Sequence, residues 1–196
     1  MHVAPVTLVG RHVRLEPLTL EHVDALAEVG LDAEIWRWMH PGPSTQAEMA
    51  AWVETAIRWQ AEGHAVPFAT VSLAEGRVVG STRFGAIVPE HRRAEIGWTW
   101  IAPAWQRTAI NTEAKLLMLT HAFETWKLRR VEFKTDALNA KSRAALARLG
   151  AIEEGTFRKH MSAAAGRVRD TVYYSIVDDE WPAVRKWLTA QLGPVV

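Results

Sequence analysis

The 196-residue chain contains no cysteine. This absence excludes disulfide bonds, thiolate metal ligands and a cysteine nucleophile, and we expect no metal site. An excess of one charge is also missing, since 23 lysine and arginine residues stand against 22 aspartate and glutamate residues. A nearly neutral chain gives no electrostatic reason to expect a nucleic acid as the main partner.

Long apolar runs are missing as well. No segment approaches the roughly 20 apolar residues that a membrane span needs, and the N-terminus shows no signal-peptide pattern. We therefore expect a cytoplasmic protein without a membrane partner. With 48% hydrophobic and 23% charged residues, the chain should form one domain over residues 1–196, with a core at about 11–177 and a C-terminal helix at about 180–192.

Tryptophan is present in unusual number, with ten residues in the chain. Side chains of this size most often fill a hydrophobic core. For Trp36 and Trp38 a pocket wall is the alternative, because they lie in a short segment that ends in helix breakers and shows no long period. We take both as candidate substrate-binding residues.

The spacing of apolar residues predicts a regular succession of strands and helices. Strands are expected at about residues 11–18, 68–73, 77–88, 93–101, 131–136, 155–162 and 168–177. Helices are expected at about residues 19–29, 45–63, 111–127 and 139–149, and from 180 onward. This order indicates a single-domain mixed α/β (α+β) architecture, in which one sheet is flanked by helices.

The strand at 93–101 is of special interest because it carries a glutamate between apolar residues. Strict alternation would place Glu95 on the face opposite to Ile96, Trp98 and Trp100. A carboxylate in that position is available for chemistry on the less apolar face of the sheet.

A polar turn at 106–112 follows this strand and runs into a long apolar helix. The start of a helix exposes unpaired backbone N–H groups and the positive end of the helix dipole, which together suit a pyrophosphate. The candidate cofactor-binding residues of this turn are Gln106, Arg107, Thr108, Ala109, Ile110, Asn111 and Thr112.

A second polar helix start follows the strand at 131–136. Asn139 and Ser142 lie three residues apart and therefore share one face of the helix, where they can hold another part of the same ligand. Both residue types are also common as helix caps or in first turns, and capping can coexist with ligand binding.

Three short motifs in this order resemble the GNAT superfamily of acyltransferases, and within it the ribosomal-protein N-terminal acetyltransferase (RimJ/RimL-like) branch. They are the strand 94–97 (Ala-Glu-Ile-Gly), the helix start Asn139-x-x-Ser142, and 150–155 (Gly-x-x-x-Glu-Gly). The resemblance covers roughly residues 11–177, and the order and spacing of the motifs are more specific than any one of them.

The resemblance implies a GNAT fold with a mostly antiparallel sheet and an acetyl-CoA-dependent N-acetyltransferase. It implies direct transfer within a ternary complex to a primary amine, either a protein N-terminus or a small molecule, and it leaves a homodimer open. Other interpretations are a CoA-binding module without catalysis, or an acyltransferase that uses another donor such as succinyl-CoA. The last would need a basic residue aimed at the acyl tail.

By this resemblance, Glu95 is the first candidate for the catalytic base, acting through one water. A structural glutamate paired with Arg92 or Arg93 is the alternative. His160, on a strand where relatives carry an acidic group, is the second candidate base and a possible substrate contact. Ser142 is the candidate proton donor to the leaving thiolate.

The strand that carries Glu95 is also expected to hold the donor. In the family this strand splays from its neighbour and pairs with pantetheine, which makes Trp100 and Ile101 cofactor-binding candidates. Backbone N–H groups between Trp98 and Ile101 are candidate oxyanion donors.

Two of the chain's departures from the family pattern bear on ligand binding and on acid catalysis. Ala109 stands where the central glycine of the turn is usual, which still permits close approach to phosphate if its φ is negative. The tyrosine that many relatives carry as an acid is absent, because residues 144–146 are apolar. Two charged features are assigned no catalytic role. Glu113 and Lys115 are expected as a solvated or cap-supporting pair. The 167–170 cluster is expected as a surface or subunit contact, with acceptor recognition as the alternative.

Overall fold

The computed structural model describes residues 1–39, 42–163 and 166–193. Its strands are β1 (Leu8–Val9), β2 (Val13–Pro17), β3 (Val66–Ser72), β4 (Arg77–Val88), β5 (Arg93–Ile101), β6 (Arg130–Asp136), β7 (Ile152–Ser162) and β8 (Val168–Val177). Its α-helices are α1 (Val23–Gly30), α2 (Ala33–Trp36), α3 (Gln46–Ala61), α4 (Ala109–Thr120), α5 (Ala140–Leu149) and α6 (Trp181–Gln191). None of the helices within these ranges is long and apolar enough to cross a membrane.

All eight strands belong to one sheet, in the order β1-β2-β3-β4-β5-β6-β8-β7. Neighbouring strands are antiparallel throughout except for β5 and β6, which are parallel. The expected mixed and mostly antiparallel sheet is therefore confirmed.

Two hydrophobic cores cover the two faces of this sheet. The larger one lies under α4 and α6 and includes Ile96, Met118 and Leu188. The smaller one lies under α1 and α3 and includes Met49 and Trp100. Both cores therefore hold β5 in place, one from each face.

A β-bulge in β5 changes which residues share a face. Gly97 pairs with Arg83 and Trp100 with Ser81, so that Trp98 and Thr99 both stand opposite Thr82. Trp98 has a φ of 49°, in the left-handed region.

The bulge shifts the alternation by one residue. Ala94 and Ile96 belong to the α4 core, whereas Trp100 belongs to the α1/α3 core and the Trp98 ring packs edge-on against Trp59 of α3. The expectation that Ala94, Ile96, Trp98 and Trp100 share one face is therefore wrong. Strict period-two alternation cannot anticipate an inserted residue.

Helix starts follow the capping residues that the sequence contains. Thr45 accepts a hydrogen bond from the backbone N–H of Glu48 and begins α3, as expected. Thr108 caps α4 in the same way, so this helix begins at Ala109 rather than Asn111. It runs into a π-helical turn at His121–Thr125.

Glu113 and Lys115 do not form the expected solvated or cap-supporting pair. Both side chains are buried, and they reach in different directions because helix residues two apart do not face each other. The Glu113 carboxylate accepts backbone N–H bonds from Arg11, His12 and Val13, at 2.9, 2.6 and 2.9 Å. It therefore anchors α4 to the turn before β2.

We expect Glu113→Gln to lower the free energy of unfolding by about 2–4 kcal/mol, because the amide accepts more weakly and its NH2 group faces backbone donors. For a chain of this length that is a fall in Tm of roughly 5–15 °C. The measurement is the Tm of Glu113→Gln in thermal unfolding. The control is Glu28→Gln, which alters an exposed ion pair with Arg77. Equal and small shifts in both variants would show that the three hydrogen bonds contribute little.

Candidate active site

A fork opens in the sheet between β5 and β6. The two strands pair over only three positions, ending at Glu95 opposite Glu132. Beyond this point β5 stays with β4 and β6 stays with β8. The fork therefore has its apex at Glu95 and exposes one edge of β5 to a ligand.

The helices that follow the two forked strands begin at the mouth of the fork. Strand β5 leads into α4 and β6 leads into α5, so both helix N-termini lie beyond the carboxyl ends of a parallel pair. This is the side of a parallel sheet at which ligands bind, and helix N-termini there attract anions.

A cavity of about 260 Å³ lies beside the first turns of α4. Four of the predicted cofactor-binding residues line it together, namely Thr108, Ala109, Asn111 and Thr112. Residues of α5 and α6 form the opposite wall. The Oδ1 atom of Asn111 is buried and has no hydrogen-bond partner within the described part of the chain.

The other predicted residues of the turn take different positions. Gln106 spans the mouth, because its side chain donates to the Ile101 carbonyl at 2.7 Å and accepts from the Lys141 ammonium of α5. Arg107 is exposed with a φ of 64°. The Ile110 side chain is buried in the α4 core, and its backbone N–H group donates to the Thr108 hydroxyl at 3.4 Å.

Trp100 contributes to the fork through its backbone alone. Its indole ring is buried in the smaller core, where it contacts the rings of Trp36 and Trp52 at 5.4 and 6.4 Å. Trp36 is also buried there and donates its indole N–H to the Gly30 carbonyl. The structure thus places Trp36 in the core rather than at a surface.

Asn139 and Ser142 lie at the start of α5, as the pattern predicted. The Asn139 side chain accepts a hydrogen bond from the backbone N–H of Ser142 at 3.0 Å and caps the helix. The Ser142 hydroxyl is half-buried and makes no hydrogen bond within the described residues. It is the polar group of this turn that remains available.

Glu95 is a buried carboxylate at the apex of the fork, with 5% of its surface exposed. Its partner is neither of the arginines considered from the sequence. Arg93 pairs with Glu132 and Arg92 donates to the Lys127 carbonyl, whereas Lys134 of β6 lies 2.7 Å from Glu95 Oε2.

The environment of Glu95 makes it a stronger base than a solvated glutamate. Burial raises its pKa above the ordinary value, and the opposing effect of the Lys134 ammonium is smaller. A carboxylate in such a cleft is a candidate for proton transfer.

One side of the fork is lined by Trp38 and by residues of β8. The Arg167 guanidinium lies 5.6 Å from the Trp38 ring centroid, and Arg169 Nη1 lies 3.5 Å from the Trp38 carbonyl oxygen. Arg169 also interacts electrostatically with Glu95. The 167–170 cluster thus lies beside the candidate base.

His160 lies at the rim of this side. It is exposed on β7, and its ring lies 5.8 Å from that of Tyr173, whose face is in turn 5.7 Å from the Lys134 ammonium. His160 is therefore separated from Glu95 by Tyr173 and Lys134.

Two buried cations near the fork were not expected from the sequence. Arg83 is enclosed by the rings of Trp52, Trp59 and Trp98, at 4.7, 5.6 and 5.2 Å from their centroids, and burial lowers its pKa to about 10. Lys115 is the second. Alternation within β4 indicates a face for Arg83, and helical spacing in α4 indicates one for Lys115. Which side chains surround each cation depends on neighbours that are distant in sequence.

Within the described ranges no three histidine, cysteine, aspartate or glutamate side chains are grouped in a way that could hold a metal ion.

Known proteins share this arrangement. Residues 12–152 match the family model described as acetyltransferase (GNAT) domain. Over 109 residues the chain is 37% identical to YdaF of Bacillus subtilis, named as a candidate ribosomal N-acetyltransferase, with 56% of this chain and 58% of YdaF covered. It is 34% identical to a GCN5-related N-acetyltransferase from Brucella melitensis, with a TM-score of 0.90 over 98% of this chain and 87% of that one.

Mycobacterium smegmatis RimJ, whose structure is a complex with CoA-disulfide, has the same fold at 24% identity, with a TM-score of 0.84 over 95% of each chain. The GNAT fold uses acetyl-CoA as its donor. The chain therefore belongs to the GNAT family and is an acetyltransferase, and its likeness to YdaF supports the RimJ/RimL-like branch.

Proposed function

We propose that this enzyme transfers an acetyl group from acetyl-CoA directly to a primary amine in a ternary complex. One observation carries the proposal: the fork between β5 and β6 has a buried carboxylate at its apex and helix N-termini at its mouth. Direct transfer agrees with the absence of cysteine, which removes a thiol as the carrier of a covalent intermediate.

The mouth of the fork fits the anionic end of the donor. The first turn of α4 offers backbone N–H groups and the positive end of the helix dipole, and Thr108 and Asn111 line the adjacent cavity. Ala109 is the first helical residue, so its φ is negative and the departure from glycine leaves the backbone accessible.

Glu95 serves as the base in this mechanism. Attack on a thioester requires a free amine, and a carboxylate with a raised pKa removes the ammonium proton directly or through one water. Lys134 holds the carboxylate at the apex of the fork through its 2.7 Å ion pair.

The bulged segment of β5 provides the oxyanion donors. Thr82 alone stands opposite both Trp98 and Thr99, and β6 has left β5 before this point, so backbone N–H groups of this segment are not fully used by the sheet. Such preorganised donors lower the barrier where negative charge develops on the acyl oxygen.

Ser142 donates a proton or a hydrogen bond to the leaving thiolate. We expect Ser142→Ala to lower kcat roughly 10- to 1,000-fold, because thiolate charge exists only in the transition state. The dissociation constant for CoA should change much less, as titration calorimetry can show. Ser142→Thr keeps the hydroxyl and should retain most of the activity. Unchanged turnover in Ser142→Ala would show that Ser142 has only a structural role in the first turn of α5.

The acceptor and donor are tested in one panel. Purified enzyme is incubated with acetyl-CoA and either N-terminal peptides or small primary amines, and thiol release and acetylated product are measured. Succinyl-CoA is included as a second donor, because Arg83 is a buried cation whose Nε and Nη2 atoms have no hydrogen-bond partner among the residues that the structure describes. Turnover with acetyl-CoA and an amine supports the proposal. Thermal stabilisation by CoA with no turnover of any amine would instead indicate a module that binds CoA without catalysis.

A further inference from the structure

Lys115 connects helix α4 to the bulge in β5. Its ammonium donates hydrogen bonds to the hydroxyls of Thr99 at 2.7 Å and Thr82 at 3.1 Å, and these two hydroxyls lie 2.7 Å apart. The three groups form a closed triangle beneath the sheet. Lys115 is 6% exposed and Thr82 is 1% exposed.

The two threonines are the residues that define the bulge. Thr99 is its second residue on β5, and Thr82 is the single residue of β4 that stands opposite it. The side chain of Lys115 therefore joins both strands of the bulge to the helix whose N-terminus lies at the mouth of the fork. Lys115 also lines the cavity beside that N-terminus.

A buried ammonium is a costly way to fill this space. Lys115 forms no ion pair within the described part of the chain, and burial lowers its pKa to about 7. An apolar side chain of similar length would pack there without that desolvation cost. The hydrogen bonds to the two threonines are what an apolar residue could not supply.

We propose that Lys115 is a positioning residue for acyl transfer, which holds the Trp98–Thr99 bulge in the conformation that directs backbone N–H groups of β5 into the fork. The inference rests on the proposed function, because it assigns those N–H groups to the acyl oxygen. Lys115 acts through Thr99 and Thr82 and not by contact with the reacting atoms.

Lys115→Met tests the proposal, because it keeps the length of the side chain and removes the amino group. We expect kcat to fall about 10- to 100-fold, as for donors that are misaligned rather than deleted. The KM for acetyl-CoA and the dissociation constant of CoA should stay within about threefold, because the Lys115 amino group is directed at the two threonines by its hydrogen bonds to them. Lys186→Met, a matched change at an exposed position of α6, should leave all three values unchanged.

A double-mutant cycle separates an effect through Thr99 from an independent one. Thr99→Val removes the hydroxyl at nearly constant volume, so Lys115→Met and Thr99→Val should together cost no more in kcat than the larger single loss. Three results would each overturn the positioning role. The first is a double variant whose loss in kcat is the product of the two single losses. The others are a kcat of Lys115→Met within twofold of wild type and a loss confined to KM.

Chemical rescue exploits the absence of cysteine from the chain. Lys115→Cys is alkylated with 2-bromoethylamine while unfolded and then refolded, which rebuilds an amino group on a side chain of lysine length. Recovery of most of the lost kcat, with unchanged activity in wild type treated in parallel, supports the proposal. Full refolding without recovery contradicts it.

Amide hydrogen exchange measures how well the bulge is held in place, without any assay of activity. The peptide containing Trp98 and Thr99 should exchange faster in Lys115→Met than in wild type, while β3 exchanges equally in both. If wild type transfers no acyl group, the proposed function fails, and unequal exchange still shows that Lys115 holds the bulge. Equal exchange in this peptide would overturn the inference even in an active enzyme.

Discussion

Glu95→Gln should lower kcat at neutral pH by roughly 10²- to 10⁴-fold, the range typical of a positioned general base. The carboxylate lies at the apex of the fork with Lys134 as its ion-pair partner, and glutamine keeps its size while removing its basicity. Steady-state kinetics with a reactive amine measure the loss. Glu132→Gln is the matched control, because Glu132 is the register partner of Glu95 on β6 but pairs with Arg93 and Arg130.

The pH dependence of this loss follows from the direction of the pKa shift. Burial raises the pKa of Glu95, so the wild-type rate should fall as pH decreases through that raised value, where the carboxylate becomes protonated and cannot accept a proton. Glu95→Gln has no such group. As pH approaches the pKa of the acceptor amine, solvent supplies the free amine and the two enzymes should converge.

Parallel pH–rate profiles of wild type and Glu95→Gln would contradict the assignment of Glu95 as the base. Arg169→Gln or Lys134→Met would then be uninformative, because both act on the Glu95 charge. The next residue to replace is His160, which stands at the rim of the fork beside Tyr173.

Ala109→Asp should weaken CoA binding by roughly 100-fold or more. Ala109 is the first residue of α4 and lines the cavity at its N-terminus, so a carboxylate there faces the proposed pyrophosphate. Two unit charges about 4 Å apart repel by about 4 kcal/mol near a protein surface, and each 1.4 kcal/mol is a tenfold change in affinity.

The same substitution should leave the fold intact, since an aspartate in the first turn interacts favourably with the helix dipole. Titration calorimetry with CoA gives the affinity and thermal unfolding gives the stability. Ala109→Asn has the same size without the charge and should weaken binding less than tenfold. If Ala109→Asp binds CoA as wild type does, the pyrophosphate lies away from α4.

Local patterns were enough to predict most of the elements. The strands Arg77–Val88 and Arg93–Ile101 have the expected bounds, and the caps Thr45 and Asn139 begin α3 and α5. Each of these features depends on residues within a few positions of one another, through alternation or side-chain capping. The short β1 and α2 were missed, because two and four residues are too few to show a period.

The partners of the charged side chains depended on packing between distant parts of the chain. Glu113 and Lys115 are two residues apart, yet one meets a turn about a hundred residues earlier and the other meets a bulge. Glu95 has Lys134 rather than an adjacent arginine as its partner because β5 and β6 are parallel. Location in the cytoplasm, a homodimer and the acceptor remain predictions.

The sequence by itself determined the family and the order of elements, because both rest on short motifs and local periodicity. It also located the two helix starts, 106–112 and 139–142, that lie near the fork. Only the tertiary structure decided that the fork ends at Glu95 and that Trp98 and Thr99 bulge. These features arise where strands distant in sequence fall out of register or part, so they depend on pairing and burial that no local pattern encodes.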